Sequence, residues 1–255
     1  MKNQITESDV PRLQALCVGK SAIEVLEWAS EFFGDQLTFA SSLGQEDQVL
    51  AGLIAGLSNP CSIFTLDTGR LFPESYTLLA ETEKRLDLEI ALYFPKQEAV
   101  EEMVSESGIN LFYKSIEARK QCCRVRKLEP LGRALFGKSA WICGLRRDQA
   151  VTRGAMQVIE WDSMHQMIKI NPLIDWSLEE VTGFLTKNNL PYNPLHDQGF
   201  VSIGCASCTR AIKPGQHLRD GRWWWESAEQ KECGLHSRPE NLEKKENLKN
   251  KRKEK

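Results

Sequence analysis

Long apolar runs are missing from this chain: the longest, residues 49–57, falls far short of the ~20 residues that a membrane-spanning helix needs. Residues 1–10 are polar and hold no hydrophobic core of a secretory signal. Both absences predict a cytoplasmic protein without membrane contact. Net charge is almost missing as well, since 33 Lys and Arg stand against 35 Asp and Glu. A global basic field of the kind that marks nucleic-acid binding is thereby excluded. The balance is uneven only at the end: residues 241–255 carry seven Lys/Arg and three Glu, a stretch of +4 that leaves −6 on the other 240 residues. Such a tail reads as a solvated, disordered extension. With 41% hydrophobic and 27% charged residues, the 255-residue chain has the make-up of one sizeable α/β domain.

Cysteine, by contrast, is plentiful. In a reducing compartment, eight cysteines are ligands or reactive thiols before they are disulfides. Four fall into two pairs: adjacent Cys122 and Cys123, and Cys205 and Cys208 in Cys-Ala-Ser-Cys. Four thiolates suit either Zn²⁺ or an iron–sulfur cluster. Adjacent cysteines point in different directions and fit one small ion poorly, whereas a cubane offers separate iron corners, which favours iron–sulfur. The plainer alternative is a set of unrelated buried thiols.

Periodicity predicts alternating strands and helices. Ser21-Ala22-Ile23-Glu24 is a capping box that opens a helix to about Phe33. Strands are expected at 37–40, 62–66, 89–94 and 140–143, with two more at 157–161 and 166–170 near a sheet edge. Helices are expected at 47–57, from Pro73 onward, at 97–107, and after the Ser177 cap to about Lys187. Ser41-Ser42-Leu43-Gly44-Gln45-Glu46-Asp47 joins the first of these strands to its helix. This loop either binds an anion at the helix N-terminus or has its own acids satisfy the dipole. Asp67-Thr68-Gly69-Arg70 follows the next strand, where open α/β sheets bind ligands, although a plain capped turn has the same composition. Arg124, Arg126 and Lys127 follow the vicinal cysteines. They either lower the charge of a thiolate cluster or line a solvated helix face, a reading that suits Arg124 better than Lys127. Arg146, Arg147 and Arg153 crowd the end of a strand and read as an oxyanion clamp. Trp223, Trp224 and Trp225 are consecutive and so cannot share one face of a strand. Cys233 sits among glycine and charge, with His236 three positions on, which is a setting either for a reactive thiolate or for a bystander thiol.

Taken together, Cys122-Cys123 with Arg126-Lys127, the run Gly204-Cys205-Ala206-Ser207-Cys208-Thr209-Arg210, Arg222-Trp223-Trp224-Trp225-Glu226 and Glu232-Cys233-Gly234-Leu235-His236 resemble the phosphoadenylyl/adenylyl sulfate reductase family. The likeness is to its iron–sulfur-bearing, assimilatory branch, which uses adenosine 5′-phosphosulfate (APS), and it runs from about Thr38 to His236. It implies an α/β fold of the adenine-nucleotide α-hydrolase (Rossmann-like) kind, a mostly parallel sheet flanked by helices. Residues 1–230 would form the reductase domain, 231–239 a mobile segment with the catalytic cysteine, and 240–255 the tail. One four-iron four-sulfur (4Fe-4S) cluster per chain is implied on Cys122, Cys123, Cys205 and Cys208, with Cys233 as nucleophile. Substrate contacts are implied for Ser41, Ser42 and Gly44, for Asp67, Thr68, Gly69 and Arg70, and for Lys127, Arg146, Arg147, Arg153, Arg219, Arg222 and His236. The sequence departs from the family at Ala150, where Ser is common, at Leu43, where Phe is common, and at Gln216-His217, where an acidic pair is usual. The hydroxyl missing at Ala150 is worth about 1 kcal/mol of substrate hydrogen bonding.

The expected reaction is reduction of APS to sulfite and AMP with thioredoxin or a glutaredoxin-like donor, through an S-sulfocysteine, with self-association left open. Use of the 3′-phosphorylated substrate (PAPS), alone or beside APS, is the first alternative. An ATP pyrophosphatase that thiolates tRNA would need paired glycines, which residues 41–47 lack. A non-catalytic iron–sulfur redox sensor would need a basic reading helix.

Overall fold

The computed structural model describes residues 5–149, 153–213 and 215–227. Each expected strand forms, within a residue or two of its predicted span: β1 Leu37–Ser41, β2 Ser62–Leu66, β3 Ile90–Tyr93, β4 Ala140–Ile142, β5 Ile159–Asp162 and β6 Met167–Ile170. They build one sheet in the order β3-β2-β1-β4-β6-β5, all parallel except the edge strand β5, which runs against β6. The mostly parallel sheet is the one anticipated.

Helices α1 Val10–Cys17, α2 Ala22–Phe33, α3 Gln45–Ala55, α4 Pro73–Leu86, α5 Gln97–Ser107, α6 Ile116–Cys123, α7 Glu129–Leu135 and α8 Leu178–Lys187 flank it. Local chemistry sets their ends. Ser21 and Glu24 close a capping box at the start of α2, and Ser177 and Glu180 do the same for α8. Pro73 starts α4, and Gly108 at φ 86° ends α5. Strand residues alternate between two cores. Leu37, Phe39, Ile63, Ala140 and Ile142 join α1, α2, α3 and α8 on one face, while Phe64, Trp141 and Cys143 meet Leu131, Ala134 and Leu135 of α7 on the other. Both faces are covered, as a parallel sheet requires.

The chain runs outward from β1 to β3 and then returns to place β4 on the other side of β1. This reversal opens a crevice beyond the carboxyl ends of β1 and β4, where open α/β sheets bind ligands. Helix α6 passes without a break into a widened π-helical stretch, Arg124–Leu128, and then into α7. Pro130 has no N–H to give to the carbonyl four residues back, and the wide turn lies immediately ahead of it. No helix among the described residues is long and apolar enough to cross a membrane.

Candidate active site

The crevice is a cavity of about 250 Å³ lined by the loops after β1, β2 and β4, by Lys127, and by the 201–204 and 218–222 segments. Ser41, Ser42, Gly44, Thr68, Lys127, Arg146, Arg153, Arg219 and Arg222 all line it. Asp67, Gly69, Arg70 and Arg147 do not.

The loop after β1 satisfies its own donors. Ser42 gives both its backbone N–H and its hydroxyl to Asp47 Oδ2, each at 2.6 Å, and Leu43 N–H goes to Ser41 Oγ at 3.2 Å. These hydrogen bonds hold the loop to α3 through Asp47, while no side chain caps the N-terminus of α3 itself. Burial pushes the Asp47 carboxyl up to about 6, against the pull of the Ser42 hydrogen bonds. Gly144 makes room for that carboxylate, since a Cβ there would sit 2.1 Å from Asp47 Oδ1.

The arginine cluster is largely engaged within the protein. Arg146, 2% exposed, donates to Glu46 at 2.8 Å and to Asp148 at 2.5 Å. Arg147 turns toward Asp175 at 2.6 Å and the carbonyl of Met156, and Arg153 donates to Gln149. Around the first turn of α3, then, Glu46 is matched to Arg146 and Asp47 to the donors of Ser42. His196 also lines the cleft, and its buried Nε2 has no hydrogen-bond partner among the described residues. Burial holds its imidazole below the usual histidine range.

The opposite wall is cationic. Arg222 has a buried Nε without a partner among the described residues. Its guanidinium lies so close over Gly204 that a Cβ there would meet Nη2 at 2.4 Å. Gly204 is thus needed for the approach of Arg222, a role that its place before Cys205 in the motif does not disclose.

Behind that wall is a second, smaller cavity, lined by Cys122, Cys123, Cys205 and Cys208 together with Arg70, Arg119, Arg126 and Trp223. Lys127 and Arg222 line both cavities. Local geometry explains how cysteines so distant in sequence meet. Arg126 Nη1 donates to Thr68 O at 2.6 Å, Ala206 N–H donates to Arg70 O at 2.8 Å, and Thr68 Oγ1 lies 3.3 Å from Cys205 Sγ. The β2 loop therefore staples the π-helical stretch that follows α6 to the second cysteine pair. Burial acts to raise the Cys205 thiol, but Lys127, the Thr68 hydroxyl, Arg222 and Arg126 outweigh it and hold the group below its ordinary range. Burial and neighbouring Cys205 push Cys208 up to about 11. Arg124 is exposed and Arg126 buried, so the solvated-face reading applies to Arg124 alone.

The tryptophans divide as their adjacency demands. Trp223, 1% exposed, closes the cysteine cavity, with the guanidinium carbons of Arg119 and Arg222 at 4.5 and 4.7 Å from its ring centroid. Trp225 packs edge-on against Tyr113 at 4.5 Å, and Trp224 packs against Trp225 at 4.7 Å. Trp223 has φ 40°, a left-handed conformation that costs an L-residue about 1–2 kcal/mol. Arg119 and Glu226, which the sequence reading passed over, form a buried ion pair beside it at 2.8 Å. The available signal was spacing: Arg119 lies one helical turn ahead of Cys122 and Cys123. Cys233, His236 and Ala150 lie outside the described residues.

Comparison with known proteins identifies the family. Residues 36–211 match the model of the phosphoadenosine phosphosulfate reductase domain. An adenosine 5′-phosphosulfate reductase of Allochromatium vinosum is 51% identical over 218 residues, 86% of this chain and 85% of that protein. One from Agrobacterium fabrum is 49% identical over 203 residues, 80% of this chain and 78% of its own length. Among solved structures, the phosphoadenylyl-sulfate reductase of Candida auris, in a phosphate complex, superimposes with a TM-score of 0.70 at 29% identity, covering 82% of this chain and 98% of that one. With more than half its length matched by the family model and relatives near 50% identity aligned along most of it, this chain belongs to the phosphoadenosine phosphosulfate reductase family.

Proposed function

We propose that this chain reduces adenosine 5′-phosphosulfate to sulfite and AMP in assimilatory sulfate reduction, the activity for which its relatives in Allochromatium and Agrobacterium are named. One observation carries the reading: the nucleotide-sized crevice and the four-cysteine cavity share a wall of two cations, Lys127 and Arg222. Those cations, with Arg219, receive the phosphosulfate. The adenosine then extends toward the loop after β1, whose acids are unsuited to a phosphate.

Cys233 acts as the nucleophile. Its thiolate attacks the hexavalent sulfur; the new S–S bond forms as the bond from sulfur to the bridging oxygen breaks, and AMP leaves with that electron pair. Lys127, Arg219 and Arg222 offset the substrate's negative charge, which otherwise repels an anionic nucleophile. A thiolate of reduced thioredoxin, or of a glutaredoxin-like dithiol, then attacks the Cys233 sulfur and expels sulfite. The donor's second thiol closes its disulfide and frees Cys233, so the two electrons that reach the substrate sulfur come from the donor. Such a cycle needs a reducing compartment, and we assign it to the cytoplasm.

Cys122, Cys123, Cys205 and Cys208 would hold one 4Fe-4S cluster. Four sulfur donors on one cavity wall fit that group. Among the described residues, no three His, Cys, Asp or Glu side chains are placed to hold a single metal ion. Bound there, the cluster supplies a fixed anionic charge beside Lys127 and Arg222.

The test is to mix the anaerobically purified protein with labelled APS and no reductant. One AMP per chain should be released, and a sulfonate should be found on the peptide that holds Cys233; reduced thioredoxin should then release sulfite. An adduct on Cys17, Cys61 or Cys143 overturns the assignment. Burial makes all three poor nucleophiles, pushing Cys17 up to about 11 and Cys61 to about 12, and raising Cys143 further.

A further inference from the structure

One buried ion pair is not needed by the chemistry above. Arg119 Nε donates to Glu226 Oε1 at 2.9 Å and Nη2 to Oε2 at 2.8 Å, a bidentate fork whose side chains are 1% and 2% exposed. The guanidinium also donates to the Cys123 thiol. The same guanidinium lies 4.5 Å from the centroid of the Trp223 ring, and Arg119 lines the four-cysteine cavity.

An apolar pair of equal volume would be as stable in such a position or more so, because two desolvated charges recover little beyond their desolvation cost. Stability alone therefore does not account for Arg119. What distinguishes it from a hydrophobic residue is a fixed cation aimed at a sulfur of the vicinal pair. Cations and N–H donors around ligating groups orient those groups and lower the electron density that they give to a metal.

We propose that Arg119, held by Glu226, is a positioning residue for Cys123: it orients the Cys123 sulfur toward the cavity and withdraws charge from it. This rests on the reading of the four cysteines as iron–sulfur ligands. The pair also fixes the turn at Trp223 to helix α6, since Glu226 N–H donates to Trp223 O at 2.8 Å.

The experiment compares wild type, Arg119→Met, Arg119→Lys and the double variant Arg119→Met/Glu226→Met, all purified anaerobically. Iron and sulfide content of the wild type reports on the cluster reading by itself. The proposal is read from ratios to wild type: the rate of iron release to a chelator, the position of the visible sulfur-to-iron charge-transfer band, and the thermal midpoint. Arg119→Met leaves a buried unpaired carboxylate and should lower the midpoint; the double variant should recover it. In both, iron release should be at least fivefold faster than in wild type and the band should shift, because the cation is gone. Arg119→Lys keeps the charge and should restore most of the band position. A double variant with wild-type midpoint, band and iron release would overturn the proposal, as would Arg119→Lys behaving like Arg119→Met.

Discussion

Gly204→Ala separates the placing of Arg222 from the stability of the fold. The added Cβ would lie 2.4, 2.6 and 2.7 Å from Nη2, Cζ and Nη1 of Arg222. Carbon contacts relax only near 3.5 Å, so the guanidinium must retreat by about 1 Å. The Gly204 backbone is not at a left-handed φ, so alanine is tolerated there and even gains about 0.4–1 kcal/mol from a less disordered unfolded chain. Its N–H bond to Thr209 Oγ1, 3.1 Å, is unaffected. The cost therefore falls on the substrate. A charge-assisted hydrogen bond to phosphosulfate is worth about 1.5–3 kcal/mol, and its loss lowers kcat/KM by roughly 10- to 150-fold. The assay pairs initial rates of sulfite release from APS with a thermal melt. A variant with wild-type kcat/KM and an unchanged melt would show that Arg222 does not contact the substrate; an unfolded variant would show that Gly204 serves the fold first.

Three further outcomes follow from the site. Asp47 is raised by burial to about 6, so the native state binds more protons than the unfolded chain between about pH 4 and 6. The stability it contributes is fully present below the unfolded pKa and is lost as pH rises through 6. Relative to Asp47→Asn, wild type should thus lose roughly 3 kcal/mol of unfolding free energy across that window in urea titrations, and parallel profiles would refute the burial argument. Cys123→Ser should lose iron and activity together; full iron with full activity removes Cys123 from the ligand set. For substrate choice, kcat/KM for APS should exceed that for PAPS at least tenfold, a difference of about 1.4 kcal/mol. A 3′-phosphate adds about two negative charges, and the loop after β1 meets the cleft with Glu46 and Asp47. Equal values would sink this account of selectivity.

How much of this was legible beforehand depended on the range of the interactions. β2 and α5 run over the residues expected, because an apolar run bounded by polar loops, or a helix closed by glycine, is a local signal. The capping boxes of α2 and α8 are equally local and equally readable. Helices α6 and α7 were not anticipated. Their sequence is rich in Arg and Lys and interrupted by Pro130, and the apolar face of α7, Leu131, Ala134 and Leu135, is too short to stand out as a stripe. The inner faces of α6 and of the π stretch are instead built of Arg119, Cys122 and Arg126, polar residues buried against each other and against thiols.

The same limit of range applies to the arginines after β4. Three guanidiniums after β4 do announce oxyanions, and those that Arg146 and Arg147 meet include the protein's own: the mostly buried Glu46 and the exposed Asp148 and Asp175. Only pairing in space tells a cation reserved for a ligand from one already engaged, and sequence offers no sign of it when the partner is a hundred residues away. Arg222 differs in a way that can be stated physically: among the described residues its buried Nε has no hydrogen-bond partner, and its guanidinium meets a glycine, a carbonyl and an aromatic ring. A buried cation left without a carboxylate is costly unless something anionic completes it. On the proposed function, the ligating thiolates on one side of Arg222 and the substrate on the other would supply that anion, which would give one arginine a part in both sites.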